Sequence, residues 1–323
     1  MDTGAWIARS LGVDVAGPPE RVQELWSGYG AIERWRLAPS AAGGPRSVVL
    51  KRIRFPSAGS SHPRGWDSDR SDARKRRSYE VERAFYRTFA GAAEDRARLP
   101  ALLAEHESAE GALLLLEDLD AAGFPARRSA VSDDDVGACV RWLASFHAAF
   151  LGRTPDGLWE RGTYWHLATR PDELAAVEDP ALKDAAARFD LAIGAARHQT
   201  LVHGDAKLAN FCFPAPDERC AEVSAVDLQY VGGGVGVQDL AYFLGSCLDD
   251  RELTADADAW LDRYFTALDA ELAERGVDGA PVETEWRVLW PYAWADFHRF
   301  LAGWAPGHWK LSAFSERMTR SVL

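Results

Sequence analysis

The sequence predicts an α+β protein of two lobes: a small strand-rich lobe with one main helix, then a larger, mainly helical lobe. Three observations lead there. At 323 residues the chain exceeds one small domain and suits two lobes with separate cores. Apolar runs of strand type fill the first third, interrupted by one clear helical stripe. From Ser132 onward the apolar period is mainly helical. The boundary is expected at 119/120, so residues 1–119 form the first lobe and 120–323 the second.

In the first lobe, residues 3–12 read as a short helix with Trp6, Ile7 and Leu11 on its apolar side, ended by Gly17-Pro18-Pro19. Val22–Trp26 and Ile32–Leu37 read as strands around Ser27-Gly28-Tyr29-Gly30. Gly28 and Gly30 could lie over phosphates through backbone N–H groups. A plain hairpin turn accounts for them equally well. Ala41–Pro45 is a turn, and Ser47–Phe55 is the best strand of this region. Val49, Lys51 and Ile53 share one face by the two-residue period. A lysine on an apolar face needs an anionic partner, because an unpaired buried charge is costly. The alternative is an exposed edge lysine.

Residues 56–72 carry no periodicity and read as a loop, mobile or functional. From Ala73 to Ala90 the pattern is helical, with Tyr79, Glu82, Tyr86 and Phe89 on one stripe. Glu82 thus stands among aromatics where it could reach Lys51, whereas Glu80 faces elsewhere. Ala101–Glu105 and Gly111–Leu119 are two more strands. The second stays apolar until Glu117-Asp118, where a sheet would hand over to a connector.

In the second lobe, Ser132–Asp135 starts a helix, its acids suiting the N-terminal dipole. Val136, Val140, Leu143, Phe146, His147 and Phe150 form the buried side, with His147 expected as a hydrogen-bonded core residue. Residues 158–198 hold helical pieces broken by Pro171 and Pro180. Pro214–Glu218 reads as a turn, Glu222–Leu228 as a strand ending at Asp227, and Gly232–Gly234 as a sharp bend. Asp239 reads as a structural helix-start residue. Helices are expected over 253–276 and 282–303. The end is rich in aromatics: Trp286, Trp290, Tyr292, Trp294, Phe297, Trp304 and Trp309. Tryptophans usually fill cores, but several with polar neighbours can also wall an acceptor pocket.

The composition excludes several classes. Hydrophobic content of 47% and charged content of 27% are ordinary for a globular protein. A net charge of −12 argues against a nucleic-acid surface, which needs clustered Lys and Arg. No apolar run reaches the ~18–20 residues that span a bilayer, so no membrane partner is expected. The first residues, MDTGAWIARSLGVD, lack the basic start and apolar block of a signal peptide. Cys139, Cys212, Cys220 and Cys247 show no CxxC spacing and read as reduced thiols of a cytoplasmic protein.

The chemistry concentrates in Leu201–Phe211. Leu201 and Val202 bring the chain out of the core and His203-Gly204-Asp205 turns it. Lys207 and Asn210 follow, and Asp227 stands in a second acidic motif, Ala225–Gln229. Kinases use this order of parts. Phosphoryl transfer leaves the protein mainly positioning and charge neutralisation. Asp205 would take the proton of an acceptor hydroxyl, and Lys207 would meet charge building on the γ-phosphate of ATP. Asn210 and Asp227 supply the hard oxygens that Mg²⁺ prefers. His203 is expected to pack and hydrogen-bond the loop. Lys51 resembles the strand lysine of kinases, which holds the α- and β-phosphates.

Four segments together resemble a known group: Arg77–Tyr86, Leu116-Glu-Asp-Leu119, His203-Gly-Asp205 with Asn210, and Asp227-Leu-Gln229. The group is the small-molecule kinases that include choline kinases, aminoglycoside phosphotransferases and ecdysteroid-kinase-like proteins, with the last nearest. The resemblance runs from roughly residue 45 to 250. It implies a bilobal protein-kinase-like fold with a small antiparallel sheet in the N-terminal nucleotide-binding lobe. It also implies ATP with Mg²⁺ and O-phosphorylation of a small molecule. In kinases the connector backbone bonds the adenine, which makes Glu117 C=O and Leu119 N–H the candidates here. Two departures stand out: Asp-Leu-Gln replaces the Asp-Phe-Gly of protein kinases, and the glycine loop is short and poorly matched. Two rivals remain. A nucleotide-binding pseudokinase is opposed by the filled catalytic positions. An aminoglycoside-inactivating enzyme is permitted by the overall acidity, whereas the aromatic end favours a flatter, more apolar acceptor.

Overall fold

The structure, a computed structural model, describes residues 2–25, 28–39, 44–55, 69–93, 96–216 and 220–323. Five strands form one sheet: β1 (Glu20–Glu24), β2 (Gly30–Arg36), β3 (Ser47–Arg54), β4 (Leu102–Ser108) and β5 (Gly111–Glu117). Their order is β1-β2-β3-β5-β4, and every neighbouring pair is antiparallel. Helix α1 (Thr3–Leu11) covers one face and α2 (Asp69–Thr88) the other.

The two-residue period sorts β3 and β5 between these faces. Val48, Leu50, Leu113 and Leu115 pack with Trp6 and Ile7 of α1. Ile53, Leu114 and Leu116 pack toward Tyr79 and Phe85 of α2. Lys51 falls on the α2 face of the central strand, between Ile32 and Leu114. It is buried, so the edge-lysine alternative does not hold. The edge strand β1 is exposed throughout and carries Glu20, Arg21 and Glu24, charges that discourage pairing with another chain.

The rest is mainly helical. Helix α3 (Asp133–Ala149) opens with a reciprocal capping box between Ser132 and Asp135. Then come α4 (Pro171–Ala176), α5 (Pro180–Gly194), β6 (Thr200–Val202), β7 (Phe211–Cys212), β8 (Ser224–Ala225) and β9 (Gly232–Gly234). Helices α6 (Val237–Cys247), α7 (Asp250–Glu274), α8 (Ala280–Trp304) and α9 (Ala313–Arg320) complete the chain. Among the described residues, no helix is long and apolar enough to cross a membrane.

Several expectations need correction. The cores of the two lobes are not separate. Phe85 of α2 lies 6.0 Å from Phe146 and 5.9 Å from Phe150, ring centre to ring centre, so one apolar cluster runs from the sheet into the helices. Helix α2 begins at Asp69, so residues 69–72 are helix rather than loop, while 56–68 lie outside the described residues. So do Trp26, Ser27, parts of the 41–45 turn, and two residues of the 214–218 turn. Pro171 and Pro180 open helices instead of breaking them, since the first helical position needs no N–H. Gly232–Gly234 is not a bend but a strand paired with β6. A Cβ at Gly232 would stand 2.2 Å from the Trp159 carbonyl oxygen, so glycine permits a close backbone crossing there. Trp286, Trp290 and Trp294 are core residues, whereas Trp304 and Trp309 are exposed.

Candidate active site

The Asp205 loop is fastened by one face of α6. Asp239 accepts the backbone N–H of His203 at 2.5 Å and of Gly204 at 2.9 Å. Three residues on, the Tyr242 hydroxyl donates to Asp205 Oδ1 at 3.0 Å. One turn further, Ser246 Oγ accepts the Leu208 N–H at 2.8 Å. Positions 239, 242 and 246 share a helix face, so one rigid element sets the loop at three points. Asp239 is itself completely buried and bonded to His147 Nε2 at 3.1 Å, whose Nδ1 meets the Tyr264 hydroxyl at 2.8 Å. His147 is therefore the hydrogen-bonded core histidine expected.

Gly204 has φ +78°, and a Cβ there would lie 2.1 Å from the Tyr230 carbonyl oxygen. Only glycine fits that turn without strain. Asp205 Oδ2 receives Lys207 Nζ at 2.9 Å and Asn210 Nδ2 at 3.1 Å. His203 takes the Asp205 N–H on Nδ1 at 3.3 Å and reaches the Val226 carbonyl through Nε2 at 3.1 Å. It ties the loop together.

Asp227 arrives by a short hairpin. Phe211 pairs with Ala225 and Cys212 with Ser224, and Val226 N–H donates to the Asn210 carbonyl at 2.9 Å. This sets residues 226 and 227 beside Asn210. The strand expected over 222–228 shrinks to β8, because Asp227 adopts φ +72° and turns the chain. Such a conformation costs a non-glycine residue about 1–3 kcal/mol and must be held by its surroundings. Lys51 is one such holder: its Nζ lies 3.3 Å from Asp227 Oδ1. Gln229 donates to the same oxygen.

Lys51 also faces both oxygens of Glu82, at 2.8 and 2.7 Å. Glu80 instead faces outward and pairs with Arg77. Burial disfavours the Lys51 ammonium, but Glu82 and Asp227 outweigh it and raise its pKa. Burial likewise opposes ionisation of Asp227, yet Lys51, Lys75 and Lys207 hold its carboxyl well below the ordinary carboxylate range. Four residues far apart in sequence (Lys51, Glu82, Asp205 and Asp227) are thus brought into one neighbourhood, together with Lys207 and Asn210.

The nucleotide-contact candidates divide. Gly30 is positioned by sheet packing, since a Cβ would meet the Arg52 carbonyl oxygen at 1.9 Å. Gly28 has φ +76° and open space around it. The Glu117 side chain is engaged by Arg98 and by the Ala101 N–H, leaving only its backbone as a candidate contact. Leu119 N–H takes no backbone acceptor among the described residues. Between these two, Asp118 is buried and holds Arg34 at 2.8 Å and Ser47 at 2.7 Å, anchoring the connector to the sheet.

Sequence reasoning placed Gln229 in the second acidic motif without giving it a role, and missed Lys75, Tyr242 and Lys310. Lys75 donates to Gln229 Oε1 at 2.7 Å and sits 4.8 Å from the Tyr79 ring centre. Burial and the neighbouring Lys51 push its pKa down to about 8 against the pull of Asp227. The signal was present: positions 75, 79, 82 and 86 continue the stripe one turn toward the helix start. Tyr242 follows Asp239 by one helical step, again a readable spacing. Lys310 carried no such signal.

Comparison with known proteins bears on the fold. The Ecdysteroid kinase-like family matches residues 162–277, the stretch that carries Asp205, Lys207, Asn210, Asp227 and Asp239. No curated protein is similar enough to match. Among solved structures, the GDP complex of aminoglycoside 2'-phosphotransferase-IIIa is 12% identical, covers 99% of this chain and 98% of its own, and has a TM-score of 0.50. Choline kinase LicA from Streptococcus pneumoniae is 11% identical over 98% of this chain and 96% of its own, with a TM-score of 0.49. An aminoglycoside phosphotransferase from Streptomyces rimosus, in complex with ADP and streptomycin, is 16% identical over 93% and 98%, with a TM-score of 0.48. The likeness read from the sequence holds: the chain has the bilobal α+β fold of the protein-kinase-like small-molecule kinases.

Proposed function

We propose that this chain is an ATP- and Mg²⁺-dependent phosphotransferase acting on a hydroxyl of a small molecule. The observation that carries the proposal is the approach of two acids, an amide and two amines to one another, through the Val226–Asn210 backbone bond. Asp205, Asn210 and Lys207 form one cluster, and Asp227 with Lys51 forms the other.

The roles follow from the contacts. Asp205 is fixed on both oxygens by Tyr242, Lys207 and Asn210, so it presents a set direction to an acceptor hydroxyl. It accepts that proton as the oxygen attacks, for which general-base help contributes ~10²–10⁴-fold. Lys207 carries positive charge to the transferred group. Lys51, oriented by Glu82, binds the α- and β-phosphates, and Lys75 adds a second ammonium from the same helix face as Glu82. Backbone groups of Glu117 and Leu119 would bind the adenine, and Gly28 and Gly30 would border the phosphates.

The donor set suits a magnesium ion. Asp227 stays ionised, and Asn210 turns its Nδ2 toward Asp205, which leaves its oxygen as a donor. Bound there, Mg²⁺ would neutralise phosphate charge during transfer. Residues 1–119 would bind the nucleotide, and 120–323 would supply catalysis and the acceptor site. A cytoplasmic site of action is part of this reading, in keeping with four unpaired thiols and an ATP-dependent reaction. The reading is tested by following ATP consumption with and without Mg²⁺ across a panel of hydroxylated metabolites. Metal-dependent turnover with at least one alcohol, lost in Asp205→Asn, supports it. Failure of the protein to bind Mg·ATP refutes it.

A further inference from the structure

Lys310 shares a neighbour, Tyr242, with the Asp205 carboxylate but belongs to none of the kinase motifs. It lies between α8 and α9, with its Nζ 4.6 Å from the centre of the Tyr242 ring. Tyr242 is the residue whose hydroxyl reaches Asp205. The same ammonium lies 5.7 Å from Phe297 and 5.6 Å from Trp309. Among the described residues no carboxylate forms an ion pair with it. Asp205 does not require it for balance, since Lys207 already lies 2.9 Å from that carboxylate.

We propose that the acceptor is an alcohol bearing a carboxylate, and that this carboxylate pairs with Lys310 above the Tyr242, Phe297 and Trp309 rings. The inference rests on the phosphotransferase reading and adds the charge of the substrate. Three arguments support it. A half-buried ammonium with no counter-ion is costly, and an incoming anion offsets that cost. The rings that could cage a cationic acceptor already hold a cation of the chain itself, so a polycationic acceptor meets like charge there. An acceptor anchored at Lys310 is one tyrosine ring away from Asp205, which suits a compact molecule with a flat body and a hydroxyl at its far end. Burial, with Lys207 nearby, pushes the Lys310 pKa down to about 8 despite Asp205. At pH 7 it therefore still carries most of its charge.

A matched set of alcohols tests this: para-hydroxymethylbenzoate, its neutral amide para-hydroxymethylbenzamide, and the cationic para-hydroxymethylbenzylamine. Their affinities for the full chain, loaded with Mg²⁺ and a non-hydrolysable ATP analogue, are measured by ligand-observed NMR. The carboxylate is expected to bind about tenfold or more tighter than the amide, as charge-assisted bonds allow, with the amine weakest. Lys310→Met should erase the difference between carboxylate and amide, and Lys310→Arg should keep it. Equal or tighter binding of the amide or amine overturns the proposal. So does a carboxylate preference that survives Lys310→Met, or no binding of the carboxylate at all. The nucleotide titration that precedes each measurement reports folding and the phosphotransferase reading separately, and no turnover is needed.

Discussion

The Lys51 ammonium lies 3.3 Å from Asp227, across 176 residues of sequence, and 2.8 Å from Glu82. One side chain thus joins the central strand β3, helix α2 and the turn after β8. It is the tie between the sheet and the Asp205 loop region, and it carries both a stability and a binding consequence.

The stability consequence concerns Glu82, which is 1% exposed and so has no solvent to turn to. Lys51→Met leaves its carboxylate buried beside Asp227 without its ion-pair partner. Breaking a buried pair in this way costs about 3–5 kcal/mol. Lys51→Met with Glu82→Leu should recover most of that loss, since both charges are then gone. Denaturant unfolding of the three proteins measures it. Equal stability of Lys51→Met and the parent would show that the pair does not hold the helix.

Asp205→Asn keeps the shape of the loop but removes the proposed base. Transfer should fall by ~10²–10⁴-fold, while Mg·ATP affinity changes little, because Asp205 contacts Lys207, Asn210 and Tyr242 rather than Lys51. Steady-state rates and a nucleotide titration separate these quantities. Near-normal turnover would remove Asp205 from the chemistry.

Lys75 has a folded pKa near 8, below its ordinary value of 10.5. At pH 7 it is mostly charged, and it loses that charge as pH rises through 8. Phosphate oxygens favour the ammonium, so bound nucleotide should move the titration upward. Nucleotide affinity should weaken above pH 8, and this slope should flatten in Lys75→Met. NMR of ¹³C-methylated lysines reads the titration directly. A pKa unmoved by Mg·ATP would mean that Lys75 does not face the phosphates. The same depression implies that folding stability from this group rises between pH 8 and 10.5, where the unfolded chain holds the extra proton.

Asp239→Asn removes an anion that accepts two loop amides and faces His147. The loop remains pinned by Tyr242 and Ser246, so the protein should fold and bind nucleotide. A small displacement of Asp205 can still cost about 10²-fold in rate. The expected signature is a fall in kcat with an unchanged KM for ATP. A parallel loss of nucleotide binding would make Asp239 a general scaffold residue instead.

Much of this site was legible because its residues sit on strict periods or in short loops. Lys51 stood on an apolar strand face, and Glu82 on an aromatic helix stripe. Asp205, Lys207 and Asn210 fell within six consecutive positions. The secondary structure around Asp227 was misread because a positive φ at an aspartate leaves no pattern in an apolar run. The glycines at 232–234 were misread because close backbone crossing and bending demand the same residue. The continuous core was invisible because Phe85 meets Phe146 and Phe150 only after two distant helices pack. Lys310 was hidden among aromatics because nothing in its neighbourhood of sequence points to Asp205.

On the proposed function, Lys51 and Asp227 act together on one Mg·nucleotide. Calorimetric titration of a non-hydrolysable ATP analogue, with and without Mg²⁺, tests it in the parent, Lys51→Met and Asp227→Asn. One site per chain is expected, tighter with Mg²⁺ and weakened in both variants, with the metal dependence lost in Asp227→Asn. Unchanged affinity and unchanged metal dependence in Asp227→Asn would contradict it.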